Sequence, residues 1–250
     1  MSKIPEGLRL YVVGDIHGRA DLLIELKELI AVDQEKHPAR DARTVFLGDY
    51  IDRGADTKGV LEILSSQPFP TELIPLRGNH EAMLLTFLSR HEAGRLWIQN
   101  GGLETLRSYG VDVSRVRFGR GLHEAAVHFK AVLPTAHLKF LQDLRLSFTA
   151  GDYFFCHAGI RPGIPLMQQR EEDLLWIRAK FLTSTRQHEK VVVHGHTPVQ
   201  EPELTLYRIN LDTGAYMTGR LTCLVLEGTT KRLLVATPTG ANRISFPQEE

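Results

Sequence analysis

The chain has 250 residues, 42% of them hydrophobic, and balances 30 lysine and arginine residues against 30 aspartate and glutamate. That length can bury a full α/β core in one unit, and a formal net charge of zero gives no basic field to recruit nucleic acid or an anionic membrane surface. No window approaches the run of about eighteen apolar residues that a membrane span needs, and Cys156 and Cys223 sit in apolar runs, as small buried residues of a reducing, cytoplasmic compartment.

In chain order the sequence reads as a βα rhythm. Residues 8–13 form a mostly apolar strand, and 19–36 follow as a helix with Leu22, Leu23, Leu26, Leu29 and Ile30 on one face. A strand over 44–47 precedes a helix near 57–66, and a strand over 71–76 leads into a helix over 80–90. Segments near 95–109 and 134–145 also carry helical spacing, so about 84–150 reads as a helical insertion that serves either as a substrate wall or as a packing cap. From about 190 the pattern turns to strands, at 190–194, 204–212, 221–227 and 231–236, which predicts a second, mixed or antiparallel sheet. The tail from Pro238 is expected to fray. The fold class is therefore α/β, a central β-sandwich of mixed sheets flanked by helices, in a single domain over 1–250.

Five short motifs punctuate these elements: Gly14-Asp15-Ile16-His17-Gly18, Gly48-Asp49-Tyr50-Ile51-Asp52-Arg53-Gly54, Arg77-Gly78-Asn79-His80-Glu81, His157 and His194-Gly195-His196-Thr197. Each alone has a plain structural explanation. An Asp-x-His-Gly string is a common polar turn, Asn79 is a good helix cap, and His157 suits the end of a core strand. Their joint occurrence at strand ends, where an open α/β sheet offers a binding crevice, points instead to a centre for two metal ions. Asp15 and His17 are two apart and in extended chain point to one side. Asp49 can bridge to a second ion whose other ligands are Asn79, His157 and His196. Carboxylate, imidazole and amide oxygen suit Mn²⁺, Fe or Zn²⁺, and neither cysteine belongs to the set.

Two such ions roughly 3.5–4 Å apart lower the pKa of a bridging water and clamp an in-line displacement, which describes phosphoester hydrolysis. The departing alkoxide needs a proton, and His80, next to Asn79 and held by Asp52, is the natural donor. Arg53 and Arg77 flank the same loops with planar forks for phosphate oxygens. His194 lies in a strand and is expected to pack behind the site. His37, His91, His123, His128, His137 and His188 have no motif context and read as solvated or packing residues.

The strings GDIHG, GDYIDRG, LRGNHE and the downstream GHT resemble the phosphoprotein phosphatase branch of the calcineurin-like metallophosphoesterases, most closely the bacterial and phage lambda-type serine/threonine protein phosphatases. The resemblance covers roughly residues 8–84 and 152–228. It implies the calcineurin-like fold and a hydrolase with two divalent ions, Mn²⁺ by preference with Fe or Zn²⁺ as alternatives, and no phosphoenzyme. It also implies Asp15, His17 and Asp49 on one ion, and Asp49, Asn79, His157 and His196 on the other. His80 with Asp52 would be the proton-donating pair, Arg53 and Arg77 the phosphate holders, with Arg178 in Leu174-Leu175-Trp176-Ile177-Arg178 as a looser match. The implied substrate is a phosphorylated protein or small phosphoester. The alternative is a nucleotide hydrolase resembling the symmetrical diadenosine tetraphosphatases. Those share the Leu211-Asp212-Thr213-Gly214 segment but generally lack the aspartate matching Asp52. A scaffold without activity would be expected to have lost ligands or His80, and none is missing.

Overall fold

The computed structural model describes residues 2–116, 120–238 and 242–245, the last for the backbone alone. Strand β1 (Leu8–Val13) leads into helix α1 (Ala20–Lys36), β2 (Asp41–Phe46) into α2 (Thr57–Ser66), and β3 (Glu72–Pro75) into α3 (Asn79–Ser89). A helical segment follows, made of α4 (Gly94–Trp97), α5 (Leu103–Ser108), α6 (Leu122–Val132) and α7 (Thr135–Gln142). The hairpin β4 (Ser147–Ala150) and β5 (Tyr153–Cys156) comes next, then α8 (Glu171–Trp176) and α9 (Ala179–Leu182). The chain continues through β6 (Val191–His194), β7 (Glu203–Leu204), β8 (Arg208–Asn210), α10 (Ala215–Thr218), β9 (Leu221–Glu227), β10 (Thr230–Ala236) and β11 (Asn242–Ser245).

Two sheets result, ordered β11-β10-β9-β1-β2-β3 and β4-β5-β6-β8-β7. In the first, β1, β2 and β3 run parallel and β9 returns antiparallel against β1. In the second, β5, β6 and β8 run parallel. Alternation along each strand decides what it faces. Leu10 and Val12 of β1 meet Phe155, Val193 and Ile209 in the core between the sheets. Tyr11 and Val13 point the other way, into a cluster with α1, α2 and the helical segment. Phe154, Cys156 and Val192 cover the outer face of the second sheet together with Leu174, Ile177 and Phe181. Because β1, β2, β3, β5, β6 and β8 are parallel strands of two stacked sheets, the loops leaving their carboxyl ends can gather on one side.

The two-layer α/β architecture agrees with the sequence pattern, but the late strands are distributed differently. They do not form a sheet of their own: β9 and β10 join the first sheet, with Val13 opposite Cys223 and Cys223 opposite Leu234. The second sheet is opened by the β4–β5 hairpin, well before residue 190. Apolar periodicity identifies a strand but carries no information on its partner, and β1, buried on both faces, needed a neighbour on each edge. Residues 95–109 are not one helix either, since a π-helical turn at Ile98–Gly102 separates α4 from α5. Helix α6 has no counterpart in the sequence reading, because only Ala125, Ala126 and Phe129 of its apolar positions are buried. Within the stretch expected to fray, 242–245 pairs antiparallel with β10, while 239–241 and 246–250 lie outside the described residues. Among the described residues no helix is long and apolar enough to cross a membrane.

Candidate metal centre

The site is assembled from strand-end loops held to one another by their backbones. Asp49 O accepts the N–H groups of Ile16 and His17, His157 O accepts that of Gly195, and His194 O accepts that of Leu211. Among the described residues, the non-glycine positions with positive φ are His17, Asp49, Asp52, Arg53 and His196. All five belong to the predicted site, so backbone strain is concentrated where the side chains must be aimed. This differs from the strand geometry expected for Asp15 and His17. Strand β1 ends at Val13, and a left-handed turn at His17 (φ 46°), rather than β alternation, directs its ring.

Asn79 Oδ1 lies 2.8 Å from His157 Nε2 and 2.9 Å from His196 Nδ1, and those two nitrogens are 3.2 Å apart. Asp49 Oδ1 approaches His157 Nε2 at 3.4 Å. His157 donates its Nδ1–H to Leu47 O at 2.9 Å, which leaves Nε2 as a lone pair facing two oxygens with no proton between them. His196 Nε2 is buried without a partner among the described residues. Four acceptor atoms turned toward one point are satisfied by a cation, so these residues fit a divalent ion of borderline hardness. Burial drives the His157 imidazole below its ordinary value and takes that of His196 to about 2; both rings are therefore neutral and free to act as ligands.

A second group lies on the other side of Asp49. His17 Nε2 stands 3.5 Å and His80 Nε2 3.7 Å from Asp49 Oδ2, and His17 Nδ1 donates to Ile51 O at 2.8 Å. Burial lowers the His17 pKa to about 3. For Asp49 burial acts upward, but the imidazoles of His157, His80, His17 and His196 around it hold the carboxyl below the usual range. The Asp15 carboxylate is turned toward the loop after β6, accepting the His196 N–H at 3.1 and 3.3 Å. Two groups of acid and histidine side chains among the described residues could hold an ion, His17, Asp49 and His80, and Asp49, His157 and His196, with Asp49 common to both.

His80 is held by a second buried carboxylate. Its Nδ1 meets Asp52 Oδ2 at 2.6 Å. Burial alone would lower the His80 pKa, yet Asp49 and Asp52 outweigh it and raise the value. Asp52 is itself fully buried and takes two further hydrogen bonds from the helical segment, Trp97 Nε1 at 2.8 Å and Thr105 Oγ1 at 2.6 Å. Gly101, at φ 107°, accepts the Arg53 N–H, and a Cβ there would lie 2.7 Å from Arg53 Cγ.

The three arginines are placed differently. Arg53 Nη1 is 3.0 Å from His17 Nε2, with its guanidinium 5.0 Å from the Tyr216 ring centre. Arg178 is exposed and close enough for its charge to act on His157 and His196. Arg77 contacts Glu171 Oε1 and Gln142 O at 3.4 Å each.

Four further residues shape the site without having been singled out for it. Glu81 accepts from Asp49 N, Tyr50 N and Gly78 N at 2.9, 2.8 and 2.9 Å. Its place three positions after Gly78 is a capping-box signal, though the reach to a second loop is not. Trp97 and Thr105 reach Asp52 from the segment read as a substrate wall or a packing cap, and the Tyr216 ring sits 5.3 Å from that of His17.

Neutral nitrogens and anionic oxygens gathered at the strand ends of a two-sheet sandwich suit metal-dependent hydrolysis of phosphoesters. The chain belongs to the calcineurin-like phosphoesterase family, whose profile matches residues 8–221. It is 28% identical over 233 residues to the bis(5'-nucleosyl)-tetraphosphatase PrpE [asymmetrical] of Halalkalibacterium halodurans, covering 85% of this chain and 88% of that one. It is 29% identical over 221 residues to serine/threonine-protein phosphatase 1 of Salmonella typhimurium, covering 85% and 89%. In fold it resembles a cold-active protein tyrosine phosphatase, with a TM-score of 0.61 at 16% identity over 96% of this chain and 81% of that one.

Proposed function

We propose that the protein hydrolyses phosphomonoesters with two divalent ions, on phosphoserine or phosphothreonine of protein substrates, and that His80 protonates the leaving group. The observation that carries this reading is the buried His80–Asp52 contact of 2.6 Å beside Asp49. A serine or threonine alkoxide is a poor leaving group, and a charged imidazole aimed at the centre supplies the proton it needs. In this reading Asp15, His17 and Asp49 hold one ion and Asp49, Asn79, His157 and His196 the other. The nitrogen and oxygen donor set favours Mn²⁺, with Fe or Zn²⁺ acceptable. When bound, the pair supplies Lewis acidity toward the phosphoryl oxygens and a water of lowered pKa. Arg53 and Arg178 orient the phosphoryl group, and Asp52 keeps the His80 ring in place and charged. Residues 84–150 act as an insertion in a single catalytic domain, bracing Asp52 from outside. The buried free thiols Cys156 and Cys223 fit a cytoplasmic setting.

A nucleotide substrate is the second reading, and the likeness to PrpE over 85% of the chain favours it. Cleavage of a phosphoanhydride in a dinucleoside tetraphosphate expels a nucleotide through a terminal phosphate oxygen, which departs with little need of a proton donor. The Mn²⁺-loaded protein assayed side by side on phosphoserine, phosphothreonine and phosphotyrosine peptides and on diadenosine tetraphosphate separates the two. A higher kcat/KM on the phosphoserine or phosphothreonine peptide than on the dinucleotide is expected. The reverse order would replace the protein substrate with the nucleotide.

A further inference from the structure

We propose that Tyr216 is a positioning residue for Arg53, its ring holding the guanidinium beside His17 while leaving the charge and the N–H fork to a phosphoryl oxygen; this rests on the reading of Arg53 as a phosphate holder. Among the described residues Arg53 forms no ion pair with a carboxylate. Its guanidinium has Nη1 3.0 Å from His17 Nε2 and Cζ 5.0 Å from the centre of the Tyr216 ring. Other arginines are held in a different way, Arg19 by both oxygens of Asp21, Arg161 by both of Asp173 and Arg220 by both of Glu201. A carboxylate fixes a guanidinium but also occupies its fork and neutralises it. An aromatic face attracts the cation through its quadrupole and takes up none of the in-plane N–H donors. Because the two-ion reading commits His17 Nε2 to a cation, the ring is the partner of Arg53 that does not compete with metal.

The ring is itself well anchored. Tyr216 is half-buried in α10, a single turn bounded by Gly214 at φ 66° and Gly219 at φ 70°. Ala215 before it is buried and its O accepts Arg19 Nη1 at 2.9 Å, while Thr218 Oγ1 donates to Thr213 O at 2.8 Å. The Tyr216 and His17 rings meet edge to face at 5.3 Å and 82°. At the other end of Arg53 the backbone is pinned, its N–H donating to Gly101 O at 3.2 Å with φ at 65°. An arginine side chain loses much rotamer freedom when it is ordered, and a wall at its tip lets that ordering precede the arrival of the phosphate.

Competitive inhibition by inorganic phosphate, measured on the Mn²⁺-loaded full-length protein with an aryl phosphate as substrate, tests the assignment in wild type, Tyr216→Phe, Tyr216→Leu, Arg53→Ala and the Tyr216→Leu/Arg53→Ala double variant. Tyr216→Leu should raise the inhibition constant about threefold to tenfold, the range of a partly desolvated cation–π contact, and Tyr216→Phe, which keeps the ring, should stay within about twofold of wild type. In the Arg53→Ala background the leucine substitution should add less than about twofold, since residues that act through one contact are not additive. Isothermal titration of the chelator-stripped Tyr216→Leu protein with Mn²⁺ should match wild type. Where thermal unfolding shows that the leucine variant does not fold, Tyr216→Met, which fills the space without an aromatic face, carries the same expectations. A wild-type inhibition constant in whichever of these variants folds, or a loss of equal size with and without Arg53, would overturn the proposal. Equal weakening in Tyr216→Phe would do so too, because the hydroxyl would then be the operative group, as would weakened Mn²⁺ binding, because the ring would then act through His17. A wild-type inhibition constant in Arg53→Ala would instead defeat the reading of Arg53 itself, a result visible without any change at Tyr216.

Discussion

At the scale of single residues, chemistry and phosphate binding separate cleanly. His80 is held by Asp52 and stands 3.7 Å from Asp49, so His80→Asn should leave metal content near wild type while lowering kcat roughly 10²–10⁴-fold on alkyl phosphates. An aryl phosphate with a good leaving group should lose far less. Equal losses on both substrates would remove the proton-donating role. The arginines make a second comparison, because the charge of Arg178 acts on His157 and His196 while Arg77 contacts Glu171 and Gln142. Competitive inhibition by inorganic phosphate should weaken about 10-fold or more in Arg178→Ala, as expected for a lost charge-assisted contact. Arg178→Lys should lie between that variant and wild type, and Arg77→Ala should change least. A larger effect at Arg77 than at Arg178 would reverse the assignment.

At the scale of elements, the helical segment after α3 does more than cover the core. Its π-helical turn brings Gly101 O to the Arg53 N–H, and α4 and α5 deliver Trp97 and Thr105 to the two oxygens of Asp52. A buried carboxylate held from two sides keeps its partner imidazole in one rotamer. Trp97→Phe keeps an aromatic ring beside Phe87 and removes the indole N–H together with part of the buried ring volume. Losing the donor should cost about 1 kcal/mol of stability and the vacated volume about 1–3 kcal/mol more, while kcat falls about threefold to tenfold with both Mn²⁺ sites intact by titration. Unchanged kcat would reduce the segment to a packing cap.

At the scale of the whole molecule, the first sheet is tied to α1 by a buried ionic cluster remote from the metal centre. Asp33 of α1 is fully buried and accepts from Arg232 at 2.8 and 3.1 Å and from Tyr11 at 2.7 Å. Burial acts to raise the Asp33 pKa, but Arg232 and Tyr11 hold it below the ordinary value. Its contribution is therefore complete above the unfolded value near ~3.9 and is lost as pH falls through the lower folded pKa. Asp33→Asn should cost about 3 kcal/mol at neutral pH, the scale for breaking a buried pair, and the deficit should shrink in acid. Denaturant melts at pH 7 and pH 3 measure both. Chelation should instead destabilise through the site, since each ion at about 100 times its Kd adds about 2.7 kcal/mol to the folded state. Melts with and without Mn²⁺ should differ equally in wild type and Asp33→Asn, which would show the two regions to be independent.

By itself the sequence determined the chemistry and the class of fold. The candidate set Asp15, His17, Asp49, Asn79, His157 and His196, with His80 beside it, stood out because metal binding calls for particular functional groups, and because apolar runs before the motifs mark strands that end at a crevice. What the tertiary structure alone decided was pairing and aim. Strand periodicity is blind to neighbours, so the return of β9 and β10 to the side of β1 could not be read from their composition. Side-chain direction in the loops comes from left-handed turns at His17, Asp49, Asp52, Arg53 and His196, conformations that residue identity does not announce outside glycine. Contacts such as Trp97 with Asp52, 45 positions apart, or His196 with Asp15, 181 apart, exist only once the sheets have stacked, because a hydrogen bond depends on where the chain returns in space and not on what precedes it along the chain.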